Sequence, residues 1–387
     1  MQRKDGKPKR RATRTKPQYT FAFRDNPNTR HYRHPCCNGI RSPDHWEIVS
    51  LFAGCGGLDP SFLGGFDYLN KRYDPLPFDV IDAIDNLADA VECYRLNIGE
   101  HCREADLTSL PISELQPADI LLGGFPCQDF SSSGPKTGFS GHRGQLYRVM
   151  MEYMGTYQPK IVVAENVPYL ARLHKGKYLE TILSDFEGEG YHFDIWELYG
   201  PDYDLSQSRR RIFLVGVRND LPGFPVKPKA SRRNDHIPIE RALADLEGIS
   251  DETVTNQSQF FVASRASAGG GQGDHTNEAD RVAYCIRANA RGRIQFHYRL
   301  QRRLTVRECA RLQSFPDQFV FPFTTQRNLT LIGNAVPPIL GYRVAQSVKN
   351  YLCSVENHLQ RTDSDLQFVA KAGVQMTRSH VLQPSLF

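Results

Sequence analysis

Cys127 follows a proline at the end of the apolar run Ile120-Leu121-Leu122, within Gly123-Gly124-Phe125-Pro126-Cys127-Gln128-Asp129-Phe130-Ser131. Such a run reads as a buried strand, and the carboxyl end of a parallel strand is where α/β folds hold their ligands. A lone cysteine is most often a small buried hydrophobe. The residues after this one, to about Gly144, are too polar and too rich in Ser and Gly for a core, and read as a mobile loop. A strand-end cysteine beside such a loop suits covalent catalysis. Glu165-Asn166-Val167 ends another apolar run, Ile161–Ala164, and so falls on the same sheet edge. A carboxyl group partly desolvated there has a raised pKa and can donate a proton. The plainer alternative is a capping or salt-bridged acid. Gln207-Ser208-Arg209-Arg210-Arg211 opens a third run. Period two sets Gln207, Arg209 and Arg211 on one face and Arg210 on the other. Three polar groups on one face can hydrogen-bond a planar polar ligand or a phosphate; a solvated basic edge is the alternative.

The elements that must position these groups are legible as strands and helices in alternation. Trp46–Phe52 reads as a first strand, running into the turn Ala53-Gly54-Cys55-Gly56-Gly57-Leu58 and then a helix. Phe78–Ile84, Asp119–Leu122, Lys160–Ala164 and Arg211–Val217 read as further strands, and Ala88–Tyr94 has helical spacing. This alternation predicts a doubly wound, mostly parallel sheet. The glycines of the first turn let backbone approach a ligand closely. Position 59 is Asp, so the G-x-G-x-x-G dinucleotide pattern is incomplete. Asp85 lies just past the second strand, about where an acid binds ribose hydroxyls, and Asp106 lies near a third. Glycine turn and acids together favour an adenosine-bearing ligand.

The chain has 387 residues, ample for one large core and, as a prior, two or three domains. Hydrophobic residues make up 40% and charged residues 24%, ordinary for a soluble globular protein. No apolar run approaches the ~18–20 residues a membrane helix needs, and no signal peptide is visible. The nine cysteines are scattered with no C-x-x-C pair, which disfavours a disulfide framework or a zinc site and fits a reducing cytoplasm. The formal net charge is +5. Much of it sits in residues 1–17, where Arg3, Lys4, Lys7, Lys9, Arg10, Arg11, Arg14 and Lys16 face one acid, Asp5. Residues 1–44 therefore read as a basic, disordered arm: a solubilising tail, a polyanion contact or, with no support elsewhere in the chain, a nuclear-import signal. From about Arg218 to Arg299 the chain turns rich in Pro, Gly, Ser and Arg and loses its apolar periodicity. We read 219–299 as a smaller inserted domain, 45–218 with 300–353 as the main domain, and 354–387 as a tail without a readable pattern. In the second part of the main domain Thr305-Val306-Arg307-Glu308 is a capping box that opens a helix through Leu312. Pro337-Pro338 starts another helix.

Six segments in order now resemble the DNA cytosine-5 methyltransferase family: Phe52-Ala53-Gly54-Cys55-Gly56-Gly57; Gly124-Phe125-Pro126-Cys127-Gln128; Glu165-Asn166-Val167; Gln207-x-Arg209-x-Arg211; Arg303-Leu304-Thr305-x-Arg307-Glu308 with Arg311-Leu312-Gln313-x-Phe315-Pro316; and Ile332-Gly333-Asn334-Ala335-Val336-Pro337. The resemblance covers about 45–220 and 300–352. It implies a Rossmann-like methyltransferase fold with 219–299 as target-recognition domain. It implies S-adenosyl-L-methionine as cofactor and double-stranded DNA as partner. Cys127 would attack carbon 6 of a flipped cytosine, Glu165 would hold ring nitrogen 3, Arg211 the 2-oxo group, and Arg209 would favour the thiolate. Phe52 would pack on the cofactor adenine, Asp85 bind its ribose and Asp106 its amino group. Gly54, Gly56, Pro126, Leu146 and Asn334 would complete the cofactor site. Gln128, Ser131, Arg143 and Gln207 would contact DNA, and the loop 131–144 would close over the flipped base. The basic residues of 219–299, Arg232, Arg233, Arg265, Arg281, Arg287, Arg291 and Arg293, would lie across the duplex. One departure is Ser50, where the family often has an acid. A monomeric, cytoplasmic enzyme of prokaryotic restriction-modification type is the expectation. The rivals are a tRNA cytosine-5 methyltransferase and a catalytically inert DNA-binding protein on the same scaffold.

Overall fold

The computed structural model describes residues 45–126, 146–248, 274–289 and 294–378, with side chains to His358. Cys127, Gln128, Ser131, Arg143, the loop 131–144, the basic arm, Arg265, Arg291 and Arg293 lie outside the described residues. The chain opens with β1 (Trp46–Leu51), α1 (Leu58–Leu63), a hairpin of β2 (Phe66–Tyr68) and β3 (Lys71–Tyr73), then β4 (Phe78–Asp85), α2 (Ala88–Asn97), β5 (Cys102–Glu104) and β6 (Ile120–Gly123). There follow α3 (Tyr147–Tyr157), β7 (Ile161–Asn166), α4 (Lys177–Gly188), β8 (Tyr191–Tyr199), β9 (Arg210–Arg218), α5 (Ile239–Leu243), β10 (His275–Thr276) and β11 (Gln295–Phe296). The chain ends in α6 (Val306–Leu312), α7 (Thr325–Asn334) and α8 (Pro338–Arg378).

Among the described residues seven strands form the main sheet, in the order β5-β4-β1-β6-β7-β9-β8. The pairs from β5 to β7 are parallel, and β9 runs antiparallel to both its neighbours. The central strands are apolar runs because both their faces are covered; all six residues of β7 are buried. The strand β8 escapes the apolar-run reading. It interleaves His192, Asp194 and Glu197 with Tyr191, Phe193, Trp196 and Leu198, and it closes the sheet at one edge. The connection order reverses between β1 and β6, so a crevice opens at their carboxyl ends.

One face of the sheet packs against α1, α2 and the carboxyl-terminal helices through residues such as Phe62, Tyr94, Phe315 and Leu340. The other packs against α3 and α4 through Met150, Tyr153, Ile182 and Phe186. Two expected boundaries shift. Ile239, Ala242, Leu243, Ala283 and Ile286, from the described part of 219–299, share the first apolar cluster with Leu304, Val306 and Ala310. Arg311 of α6 donates to Asp245 at 2.5 Å and Arg299 pairs with Glu240. The boundary expected at 299/300 therefore runs through a packed unit. The tail expected from 354 begins inside α8: Val355 is buried, and Glu356 accepts a 2.9 Å hydrogen bond from the Trp46 indole. The expected capping box is present, with Thr305 Oγ1 accepting from Glu308 N and Glu308 Oε2 from Thr305 N.

Candidate active site

Glu165 is the fifth residue of β7, where the strand reaches the carboxyl edge beside β6 and β9. Its carboxylate meets Arg211 of β9, Oε1 to Nε, at 2.6 Å, with both side chains 11% exposed. Arg211 also donates to the Arg210 carbonyl at 2.7 Å, which fixes its fork. Burial pushes the Glu165 pKa up against the pull of Arg211 and Arg209. The second carboxylate oxygen, Oε2, lies 3.6 Å from where a Cβ on Gly124 would stand. The acid thus faces the backbone that leads through Phe125 and Pro126 into Cys127. Asn166 secures that backbone: its Nδ2 donates to the Phe125 carbonyl at 3.0 Å, while its Oδ1 accepts from Val167 N. Reading the sequence marks Asn166 only as part of a motif; its anchoring role comes from the β6–β7 pairing of Gly123 with Ala164.

Across the crevice, the first strand ends in a turn of unusual backbone. Phe52 has φ +58°, Gly54 +60° and Gly56 +86°. A positive φ at a non-glycine residue is strained and collects at functional sites. Gly54 N donates to Asp85 Oδ2 and Leu87 N to Asp85 Oδ1, both at 2.8 Å. Burial raises the pKa of Asp85. Asp106 follows β5 next door, where Ala105 N donates to the Asp85 carbonyl at 3.0 Å; its side chain is exposed and accepts from Thr108. Leu146 leads into α3, and the exposed Asn334 ends α7. A Cβ on Gly57 would stand 2.5 Å from the Val336 carbonyl, so the segment after Asn334 lies directly on the turn.

This cradle fits an adenosine-bearing methyl donor on one structural test. A Cβ on Gly54 would meet no atom within 4 Å, so the turn borders open space at the strand end. Beside that space stand a half-buried carboxylate, Asp85, and a half-buried aromatic ring, Phe52. The departure at Ser50 has a counterpart. Its hydroxyl donates to Asp59 Oδ1 and the Tyr94 hydroxyl to Asp59 Oδ2, each at 2.7 Å, so Asp59 supplies a buried carboxylate beneath the turn.

Comparison with known proteins decides the family. A family model described as C-5 cytosine-specific DNA methylase matches residues 46–350. The chain belongs to this family. It is 32% identical to Type II methyltransferase M.NgoFVII of Neisseria gonorrhoeae over 78% of this chain and 86% of that one. It is 28% identical to Type II methyltransferase M.FnuDI of Fusobacterium nucleatum over 80% of this chain and 96% of that one. Two solved structures share the fold. A putative DNA modification methyltransferase from an E. coli prophage superposes with TM-score 0.59 at 20% identity, covering 79% of this chain and 99% of its own. The S. pombe Dnmt2 methyltransferase gives 0.60 at 18%, with the same coverages.

Within this methylase two expected roles change. Arg209 is fully buried, and its guanidinium donates to the carbonyls of Ile286, Gly333 and Ala335 at 2.7, 2.8 and 3.0 Å. Desolvation lowers its pKa to about 10. It acts on Glu165 only through its field and joins the start of β9 to Ile286 and to the end of α7. Gln207, expected at the DNA, is also fully buried. Its amide donates to Leu312 O at 3.0 Å and Gln313 Oε1 at 2.7 Å, and accepts from Ile286 N at 2.8 Å. Of the side chains on that face, Arg211 alone reaches Glu165.

Proposed function

We propose that this methylase transfers a methyl group from S-adenosyl-L-methionine to carbon 5 of a cytosine flipped out of duplex DNA, as the modification partner of a restriction endonuclease. One observation supports it most: the Glu165–Arg211 pair faces the backbone that runs into Cys127, across the crevice from the glycine turn. Phe52, Gly54, Asp85 and Asp106 would hold the cofactor, which when bound supplies an electrophilic methyl group. Carbon 5 of cytosine is a poor nucleophile. The Cys127 thiolate adds to carbon 6, and the displaced electron pair makes carbon 5 enamine-like. Glu165, disposed by burial to carry a proton, donates to ring nitrogen 3, while Arg211 donates to the 2-oxo group. After methylation a base takes the carbon 5 proton and the sulfur–carbon 6 bond breaks, restoring the thiolate. Flipping the base costs a few kcal/mol of stacking and pairing.

The test is a covalent trap. Duplex DNA with 5-fluorocytosine in place of cytosine retains fluorine where the proton must leave. The wild type should form a denaturant-resistant adduct and Cys127→Ala none. An absent wild-type adduct would return the protein to an inert DNA-binding role. Label from S-adenosyl-L-methionine entering tRNA and no DNA would establish the tRNA rival instead.

A further inference from the structure

An open groove of about 680 Å³ lies at the carboxyl edge of the sheet, between the β8–β9 hairpin and the strap of chain 227–233. Arg210, Lys227, Lys229 and Arg233 line it together with Tyr199. Two acids on its wall are already engaged, Glu197 with Arg210 at 3.4 Å and Asp202 with His236 at 2.9 Å. Among the described residues no acidic side chain pairs with Lys227, Lys229 or Arg233. The neighbouring Arg232, by contrast, is tied to Asp204 and Asp235. The strap thus separates one structural arginine from three cations left to the groove. Arg210 lies over the Tyr199 ring, 4.1 Å from its centroid, and pairs with Glu197, so the groove's charge toward a ligand is that of Lys227, Lys229 and Arg233.

The position relates the groove to the active site. Arg210 and Arg211 are consecutive on β9, so they project to opposite faces of the sheet. Arg211 reaches Glu165, whereas Arg210 shares the face of Ile212 and Leu214, which α4 helps to cover. On that side the segment after Glu165 exposes Arg172, Lys175 and Lys177 around a turn with φ +47°, +60° and +90° at His174, Lys175 and Gly176. The groove and the Glu165–Arg211 pair thus share the carboxyl edge of the sheet, on opposite faces of β9.

We propose that this groove binds the phosphodiester backbone of the duplex to one side of the target base, extending the DNA footprint beyond the catalytic crevice. The proposal rests on the DNA methyltransferase reading. Backbone contact is sequence-independent, so a duplex of arbitrary sequence is an adequate probe. The full chain is titrated against a fluorescein-labelled 30-base-pair duplex by anisotropy across a salt series. Each neutralised phosphate adds ~0.9 to the slope of log K against log salt, so K227A/K229A/R233A should flatten that slope by about 2 to 3. The charge-preserving K227R/K229R/R233K should keep the wild-type slope. An alanine triple with the wild-type slope, in a protein that binds and methylates DNA, overturns the groove alone. A wild type that neither binds duplex nor methylates DNA overturns the groove and the reading beneath it.

Discussion

Glu165 sits between two opposed influences: burial favours its neutral form, and the Arg211 guanidinium at 2.6 Å favours the carboxylate. That balance is what a group needs if it is to take and give one proton per turnover. Glu165→Gln keeps the size and a donor toward ring nitrogen 3 but cannot transfer a proton. We expect single-turnover methyl transfer to fall ~100-fold, the lower range for a positioned acid, with DNA binding retained by anisotropy. Asp59 poses a cleaner titration. It is fully buried, and desolvation carries its pKa from 3.8 to about 6 despite hydrogen bonds from Ser50 and Tyr94. The folded state then binds more protons than the unfolded one between these values. Stability therefore falls as pH rises from about 4 to 6, by roughly 3 kcal/mol for a two-unit shift. Asp59→Asn removes the titrating group. Urea unfolding of wild type and variant across this range should show the stability difference moving in the variant's favour as pH rises; a difference that stays constant or moves toward the wild type would refute the sign.

At the scale of elements, the notable object is the knot where β9, α6, α7 and the backbone at Ile286 meet. Gln207, Arg209 and Gln313 tie it, the last donating to the Ala335 carbonyl at 2.6 Å. The knot then presses on the glycine turn, since Val336 touches Gly57. Arg209→Lys leaves a charge but loses the planar fork that serves three carbonyls. It should cost about 3 kcal/mol in urea unfolding, the scale for breaking a buried polar network. Gly57→Ala forces a methyl group into backbone that has no side-chain freedom to yield. A cost of about 1–3 kcal/mol should accompany weaker S-adenosyl-L-methionine binding by calorimetry, because the turn and the α7–α8 connection must separate. These contacts explain what the sequence could convey. The strands β1, β4, β6, β7 and β9 are legible because burial on both faces writes them as apolar runs, and the edge strand β8 is not because half its residues meet water. The motif residues on Glu165 and the glycine turn are legible for the same local reason. The roles of Gln207 and Arg209 are not: their partners Ile286, Leu312, Gly333 and Ala335 lie 77 to 126 residues away, and no local spacing records them.

Over the whole molecule the chain closes on itself through its first strand and last helix. Trp46 is buried, its ring tilted against Phe78 at 5.6 Å between centroids, and its indole N–H donates to Glu356 of α8, 310 residues away. The helix covers the sheet through Leu340, Val344, Val348 and Leu352, and Val355 extends that stripe by one more turn. A buried indole N–H left without its acceptor is costly, so the helix must reach at least to Glu356. Two truncations separate this requirement from mere helix length. Ending the chain after His358 keeps Val355 and the Glu356 carboxylate. Ending it after Cys353 removes both: an apolar side chain worth about 1.5–3 kcal/mol when buried, and a hydrogen bond to a charged acceptor worth about 1.5–3 kcal/mol. The shorter chain should unfold in urea with a stability lower by about 3–6 kcal/mol. Trp46→Phe in the His358-ended chain should reproduce the hydrogen-bond share of that loss, together with the packing lost with the larger ring. Equal midpoints for the two truncations would show that the contact between the first strand and the last helix contributes nothing, and that the fold closes before residue 354.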